Sequence, residues 1–366
     1  MSAAGPPQGA NSAPSGGSAA TQSPARDDHA RDRESALARW LEHEMGAQRV
    51  RVTRYERLGG GAIQENAALD VDVEDGRWRG RHAFVLRRDA PSTVAASLTR
   101  AQEFAVLRVA HAAGVKAPAP LFLCRDPTLV GGEFFVMQRL PGIAAGHRLT
   151  REPALVPDAD ALVHELGANL ARLHAIRPPQ ADVEAPPTAV NPALAAIETY
   201  RGYLDRLDDA YPALEWALRW CEQHAPPTFD VTLIHRDYRT GNYLVADGRL
   251  VAVLDWEFAG WGDPREDLGW FTARCWRFAG SEREAGGIAG LEPFLRGYAS
   301  VAGDAPTRAE LDYWQVMAHI RWAVIALQQA RRHTAGGERS LELALTGRIV
   351  HELEYEALRI LRDANS

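Results

Sequence analysis

The stretch "IHRDYRTGNYLV", residues 234–245, sets Asp237 and Asn242 in one polar run with His235 and Arg236 before them and apolar residues on both flanks. A second acid, Asp255, follows in "VLDWEFAGWGDPREDLGW". One carboxylate and one amide oxygen make a hard, sparse donor set. Such a set suits Mg²⁺, which keeps several waters and takes few protein ligands. Asp237, just ahead of them, is placed to orient or deprotonate a hydroxyl that faces a metal-bound phosphate. Each residue alone would pass for an Asx turn residue in a polar hairpin; the ordered set points to a site.

The flanking sequence supplies the elements that must position these groups. Asp247-Gly248 is a tight-turn dipeptide between two apolar runs, so a hairpin returning through it brings Asp255 alongside Asn242. Upstream, "RVRVTRYERL", "AALDVDVED" and "RHAFVLRR" read as strands, with Gly59-Gly60-Gly61 closing the first pair. A helix is predicted over "SLTRAQEFAVLRVAHAAG", ending at Gly114, and two more strands over "APLFLCRD" and "GEFFVMQRL". Beyond Pro141-Gly142 the pattern is mainly helical. "ALVHELGANLARLHAI" aligns Leu162, Leu166, Leu170 and Leu173 on one stripe, and further helices fall near 290–301, 308–333 and 340–362. The expected fold is α+β and bilobal. A small antiparallel β-rich lobe with one helix spans residues 34–140, and a larger helical lobe with an inserted hairpin spans 141–366. Residues 1–33 offer too little apolar surface to offset chain entropy and are expected to be a disordered tail; the first amphipathic segment is "SALARWLEHEM".

Composition narrows the class. A length of 366 residues allows two lobes, and a formal net charge of −7 carries no basic bias toward nucleic acid or an anionic membrane. Cys124, Cys221 and Cys275 are far apart and odd in number, which excludes a disulfide framework or a Cys-rich zinc site and reads as buried thiols in a reducing compartment. With no secretory leader pattern and no apolar run long enough to span a bilayer, the expected setting is the cytoplasm. Oligomeric state is not legible.

The run His235-Arg236-Asp237 with Asn242 resembles the catalytic loop of the protein-kinase-like superfamily. The fuller pattern, "LIHRDYRTGNYLV" followed by "VLDWEFAGWGDPREDLGW", more closely resembles the aminoglycoside phosphotransferase family, and especially its branch allied to acyl-CoA dehydrogenases. The resemblance runs over roughly residues 46–330. It implies a kinase-like fold and ATP- and Mg²⁺-dependent phosphoryl transfer to a hydroxyl of a small molecule. By that resemblance Asp237 is the catalytic base, Asn242 and Asp255 hold magnesium, and Asp267 anchors the loop backbone. Gly59, Gly60 and Gly61 cover the ATP phosphates, Arg87 takes the place of the strand lysine with Glu103 as its helix partner, and the backbone of Gln138 and Leu140 meets adenine.

Three departures from the pattern matter. Arginine stands at 87 in place of lysine, and its forked geometry differs from a point-charge ammonium. Arg236 stands where a glycine is commoner, and "DWE" replaces the protein-kinase DFG. No activation-segment motif follows, so a protein Ser/Thr kinase ranks below a small-molecule kinase, with a non-catalytic pseudokinase module as the other rival. His235 reads as a structural buttress, and His174 and His319 as interior histidines. Trp261 is expected to face a ligand. Glu257 could approach a second metal or face outward from its strand, and a one-residue slip would exchange Arg87 for Arg88. A kinase for polycationic aminoglycosides should line its acceptor side with acids, for which Asp205, Asp208 and Asp209 are the candidates.

Overall fold

In the computed structural model the described residues are 24–58, 64–89, 97–184, 191–335 and 340–364. The chain begins with α1 (Pro24–Met45), followed by the strands β1 (Val50–Arg57), β2 (Gln64–Val73) and β3 (Gly80–Asp89). Helix α2 (Arg100–Ala112) precedes β4 (Pro120–Cys124) and β5 (Phe134–Gln138). The five strands form one antiparallel sheet in the order β1-β2-β3-β5-β4. One face packs under α1 through Leu37, Leu41, Leu69, Phe84 and Phe134. Helix α2 starts on a capping box between Thr99 and Gln102, and Gly114 just beyond its end adopts φ +80°, the left-handed turn that glycine accommodates best.

The second lobe carries α3 (Gly146–Leu149), α4 (Ala159–His174), α5 (Pro192–Leu204), α6 (Pro212–Gln223), α7 (Pro264–Thr272), α8 (Leu291–Ala302), α9 (Arg308–Thr334), α10 (Leu341–Thr346) and α11 (Val350–Ala364). Into it are set β6 (Thr232–Ile234), β7 (Tyr243–Ala246), β8 (Arg249–Val253) and β9 (Gly260–Gly262), paired as β6-β9 and β7-β8. The four leucines of the α4 stripe are all buried in a core that also takes Val106 and Leu107 from α2 and Phe135 from β5. That shared core fixes one lobe on the other. No helix among the described residues is long and apolar enough to cross a membrane.

One expectation changes and another is met. Helix α1 starts at Pro24, so residues 24–33, assigned to the tail, are helical; proline is well tolerated in a first helical turn, where its missing N–H removes no helix bond. The rest of the assigned tail, residues 1–23, lies outside the described residues. The β7-β8 hairpin turns through Asp247 (φ 50°) and Gly248 (φ 71°), both left-handed as a two-residue hairpin turn requires.

Candidate active site

The loop between β6 and β7 is held from beneath by one acid. Asp267 on α7 is fully buried and accepts the backbone N–H of His235 at 2.6 Å and of Arg236 at 2.7 Å. His174 Nε2 lies 3.2 Å from the same carboxylate, and its Nδ1 lies 2.9 Å from the Tyr298 hydroxyl. Burial works to raise the Asp267 pKa, but the bond from His174 and the nearby His235 outweigh it and hold the carboxyl below its usual range. Arg236 is thereby fixed at φ 63°, which explains physically why a glycine suits this position. His235 is also buried. It donates from Nε2 to the Leu254 carbonyl at 3.0 Å, while Nδ1 accepts the Asp237 N–H at 3.2 Å. Burial lowers its pKa, so the ring stays neutral and acts as a strut between loop and hairpin.

On this base the chemical groups converge. The Leu254 N–H donates to the Asn242 carbonyl at 2.7 Å, which brings Asn242 beside the segment carrying Asp255. Asn242 Nδ2 donates to both the carbonyl (3.0 Å) and the carboxylate of Asp237, and its amide oxygen has no hydrogen-bond partner among the described residues. Asp237 Oδ1 accepts the Trp270 indole N–H at 2.9 Å and the Arg239 Nε–H at 3.1 Å. Asp255 (φ 65°) accepts Arg87 Nη2–H at 2.7 Å.

Arg87 faces inward from β3. Its Nε lies 2.9 Å from one Glu103 oxygen and 3.1 Å from the other, which places the expected strand–helix ion pair in the structure. Arg88 points elsewhere, to Glu65 and the Val130 carbonyl, so the one-residue slip does not occur. The pair is in fact a triad. Arg100, fully buried, also bonds Glu103, and its Nε lies 2.8 Å from Asp89. Neither Arg100 nor Trp270 was expected at the site. Arg100 stands in the first turn of α2 with nothing in its neighbours to mark it, and no local pattern ties Trp270 to Asp237, which lies far from it in the chain.

The cleft between the lobes is a cavity of 1430 Å³ lined by Arg87, Glu103, Asp237, Asn242 and Asp255 together with Gln138 and Leu140. The Gln138 N–H is committed to the Ala119 carbonyl at 2.9 Å, whereas the Leu140 N–H has no partner among the described residues. Glu257 is buried rather than outward-facing and accepts the Ser97 hydroxyl at 3.0 Å. Trp261 is half-buried on the cavity wall, with its indole N–H on the Glu184 carbonyl at 2.6 Å. Gly59, Gly60 and Gly61 lie outside the described residues. Cys124 and Cys221 are buried free thiols and Cys275 is half-buried. Among the described residues no cluster of three His, Cys, Asp or Glu side chains could hold a metal. A sparse pair such as Asn242 and Asp255 is a different kind of site, fitted only to a cation that keeps most of its waters.

The model of the Phosphotransferase enzyme family matches residues 54–309. The chain belongs to this family. This phosphotransferase is 24% identical over 352 residues to human acyl-CoA dehydrogenase family member 11, covering 89% of its own chain and 44% of that protein. It is 27% identical over 190 residues to mouse acyl-CoA dehydrogenase family member 10, covering 50% of its own chain and 18% of the other. It thus spans less than half the length of these curated relatives. Among solved structures it superposes with a TM-score of 0.70 and 19% identity on a Ralstonia eutropha protein provisionally assigned as an aminoglycoside phosphotransferase, covering 90% and 98% of the two chains. A thermostable mutant of an aminoglycoside phosphotransferase, in ternary complex with ADP and hygromycin B, matches at 0.59 with 16% identity over 89% and 98%. A Plasmodium vivax ethanolamine kinase matches at 0.54 with 14% identity over 85% and 83%. At these identities the structures carry the bilobal kinase-like α+β fold.

Proposed function

We propose that this phosphotransferase is a small-molecule kinase that moves the γ-phosphoryl group of ATP to an alcohol of a small acceptor. The observation that carries the reading is the convergence of Asp237, Asn242 and Asp255 on one wall of the interlobe cavity, with Arg87 and Glu103 opposite. Asn242, through its amide oxygen, and Asp255, through its carboxylate, would hold Mg²⁺, which supplies charge neutralisation of the phosphates when bound. Arg87, anchored by Glu103, would turn from Asp255 to the phosphates, and the Leu140 N–H would donate to an adenine ring nitrogen.

Asp237 does the proton work. Its carboxylate is pinned by Trp270, Arg239 and Asn242, so it meets an incoming hydroxyl in a fixed orientation. The acceptor oxygen forms its bond to the γ-phosphorus as the bond to the β–γ bridging oxygen breaks. The electron pair leaves with ADP and the hydroxyl proton passes to Asp237. A loose transition state needs little covalent help, so positioning and electrostatics supply most of the rate.

One observation favours a second reading. Arg87 already occupies Asp255, as it would in a nucleotide-binding module that does no transfer. ADP release measured with alcohol acceptors, namely aminoglycosides, choline and hydroxyacyl thioesters, separates the two. The kinase reading expects acceptor-dependent ADP release that falls by about 10²–10⁴ in Asp237→Asn while Mg·ATP binding is kept. Mg·ATP binding with no transfer to any alcohol would favour the non-catalytic module.

A further inference from the structure

Two donors meet on one oxygen of Asp237. The Trp270 indole N–H lies 2.9 Å from Oδ1 and the Arg239 Nε–H 3.1 Å from the same atom, while Asn242 Nδ2 bonds the other oxygen. One residue stands behind both donors. The Trp276 ring centroid lies 5.0 Å from that of Trp270, with the planes tilted by 48°, and the Arg239 guanidinium carbon lies 4.5 Å from the Trp276 ring centroid. Trp276 makes no hydrogen bond from its own indole N–H, which is buried without a partner among the described residues. What it gives its two neighbours is therefore shape and a π face.

Trp276 is itself held on several sides. It closes the 3₁₀ turn Arg274–Trp276 that follows α7. At the start of this turn Arg274 Nε lies 3.0 Å from Glu356 Oε1 on α11. Just past its end Arg277 donates from Nε and Nη2 to the Thr272 carbonyl, at 3.1 Å and 2.8 Å. Trp322 of α9 packs against the Trp276 ring at 4.9 Å between centroids. Only 8% of Trp276 is exposed, so close packing leaves the ring little room to turn. An indole face is the best aromatic partner for a guanidinium, so Arg239 gives up a favourable contact if it swings away from Asp237.

We propose that Trp276 is a positioning residue for phosphoryl transfer. By backing Trp270 and Arg239 together, it fixes the Asp237 carboxylate in the orientation that meets the acceptor hydroxyl. This rests on the kinase reading above and adds to it a residue that acts on Asp237 only through two others. Without the ring, Arg239 loses the face it lies on and Trp270 gains room, so the carboxylate can turn about its Cβ–Cγ bond. Its charge is kept, but the fraction of encounters in a reactive geometry falls. Misplacement by about an ångström can cost on the order of 10²-fold in rate.

The test follows ADP release from Mg·ATP with water as the phosphoryl acceptor and with each alcohol of the screen above. Trp276→Leu is expected to lower kcat about tenfold for every acceptor, water included, with Mg·ATP affinity kept. Trp276→Phe, which retains a ring face, restores most of the rate. In the Arg239→Met/Trp270→Phe double variant both donors are gone, and there Trp276→Leu should cost less than about twofold more. The same tenfold loss in that background overturns the inference. So does a loss confined to the alcohols, which would make Trp276 a contact of the acceptor. A second measurement needs no turnover. In protein carrying isotopically labelled arginine, the Arg239 Nε–H signal is assigned by its absence from Arg239→Lys. It should exchange with water about tenfold more slowly than that of an exposed arginine. Trp276→Leu is expected to remove this protection and Trp276→Phe to keep it; protection unchanged in Trp276→Leu overturns the inference. ADP release to no acceptor in protein that binds Mg·ATP would strike the kinase reading instead, and the Arg239 signal tells that failure from this one.

Discussion

Arg87 Nη2 stands 2.7 Å from Asp255 Oδ1, while Nε of the same guanidinium holds Glu103, so one side chain ties β3, α2 and the segment after β8 together. Arg87 and Arg100 share Glu103, and all three are buried. Removing the shared acid takes a partner from two buried cations at once, leaving Arg87 on Asp255 and Arg100 on Asp89, whereas removing Arg87 leaves Glu103 paired with Arg100. Glu103→Met, which loses charge-assisted bonds to two arginines, is expected to cost about 3–5 kcal/mol, and Arg87→Met about 2 kcal/mol. Urea denaturation of both variants checks the order. Arg87→Met as the more damaging change would contradict the triad.

Arg236 is held at φ 63° by the two backbone bonds to Asp267. Arg236→Gly relieves about 1 kcal/mol of left-handed strain. It also gives up the bond from Nη2 to the Trp261 carbonyl at 2.8 Å, worth about 1 kcal/mol. The sum is near zero. Arg236→Val adds a β-branched side chain to the same backbone and loses the bond, for an expected loss of about 2–3 kcal/mol. Thermal unfolding of the pair settles it, and equal stabilities would argue that the loop relaxes out of this conformation.

The sequence was legible where local chemistry dictates local form. The turn dipeptide at Asp247-Gly248, the leucine stripe of α4 and the ordered set Asp237, Asn242 and Asp255 all involve short spacings with one geometric solution. Arg87 and Glu103 were also reachable, since a strand and the helix after it have few ways to pack. What was not legible depends on contacts between distant segments. Trp270 reaches Asp237 only because α7 packs beneath the loop, Arg321 enters the site from the middle of α9, and Arg100 is buried because Glu103 and Asp89 both bind it. The acidic run at 205–209 was visible as a run, but its distance from the cavity is a property of the packed helices.

Acid should loosen the fold through its interior histidines. Burial lowers the pKa of His319 to about 4 and lowers that of His235 as well. In the unfolded chain each titrates near ~6.5. Above that value both are neutral in either state and stability is fully present. As the pH falls below it, the unfolded chain binds protons that the folded rings refuse, so stability drops toward acid. From about pH 6.5 to 5, His319 alone accounts for about 2 kcal/mol. Urea unfolding across that window should show the slope, and His319→Leu should flatten it. An unchanged slope would assign the acid sensitivity to other groups.

Helices α4 and α8 meet at two glycines. A Cβ on Gly297 would sit 1.9 Å from the His164 carbonyl oxygen, and one on Gly167 would sit 2.1 Å from that of Phe294. Alanine gains about 1 kcal/mol in helix propensity over glycine, but here it forces backbone from backbone. The steric effect wins. Gly297→Ala is expected to lose about 2 kcal/mol net and to displace Tyr298 from His174, which calorimetric melting would register as a lower Tm. A raised Tm would mean that the helices are not packed this closely.

Thermal shift most directly tests Asn242 and Asp255 as a metal-dependent nucleotide site. The protein is melted with ATP alone, with Mg²⁺ alone and with both, alongside Asp255→Ala. A ligand at about a hundred times its Kd stabilises the folded state by about 2.7 kcal/mol. The expected result is a clear rise in Tm that needs both ATP and Mg²⁺ and disappears in Asp255→Ala. An equal rise with ATP alone, or a variant that keeps the full Mg²⁺-dependent shift, would contradict it.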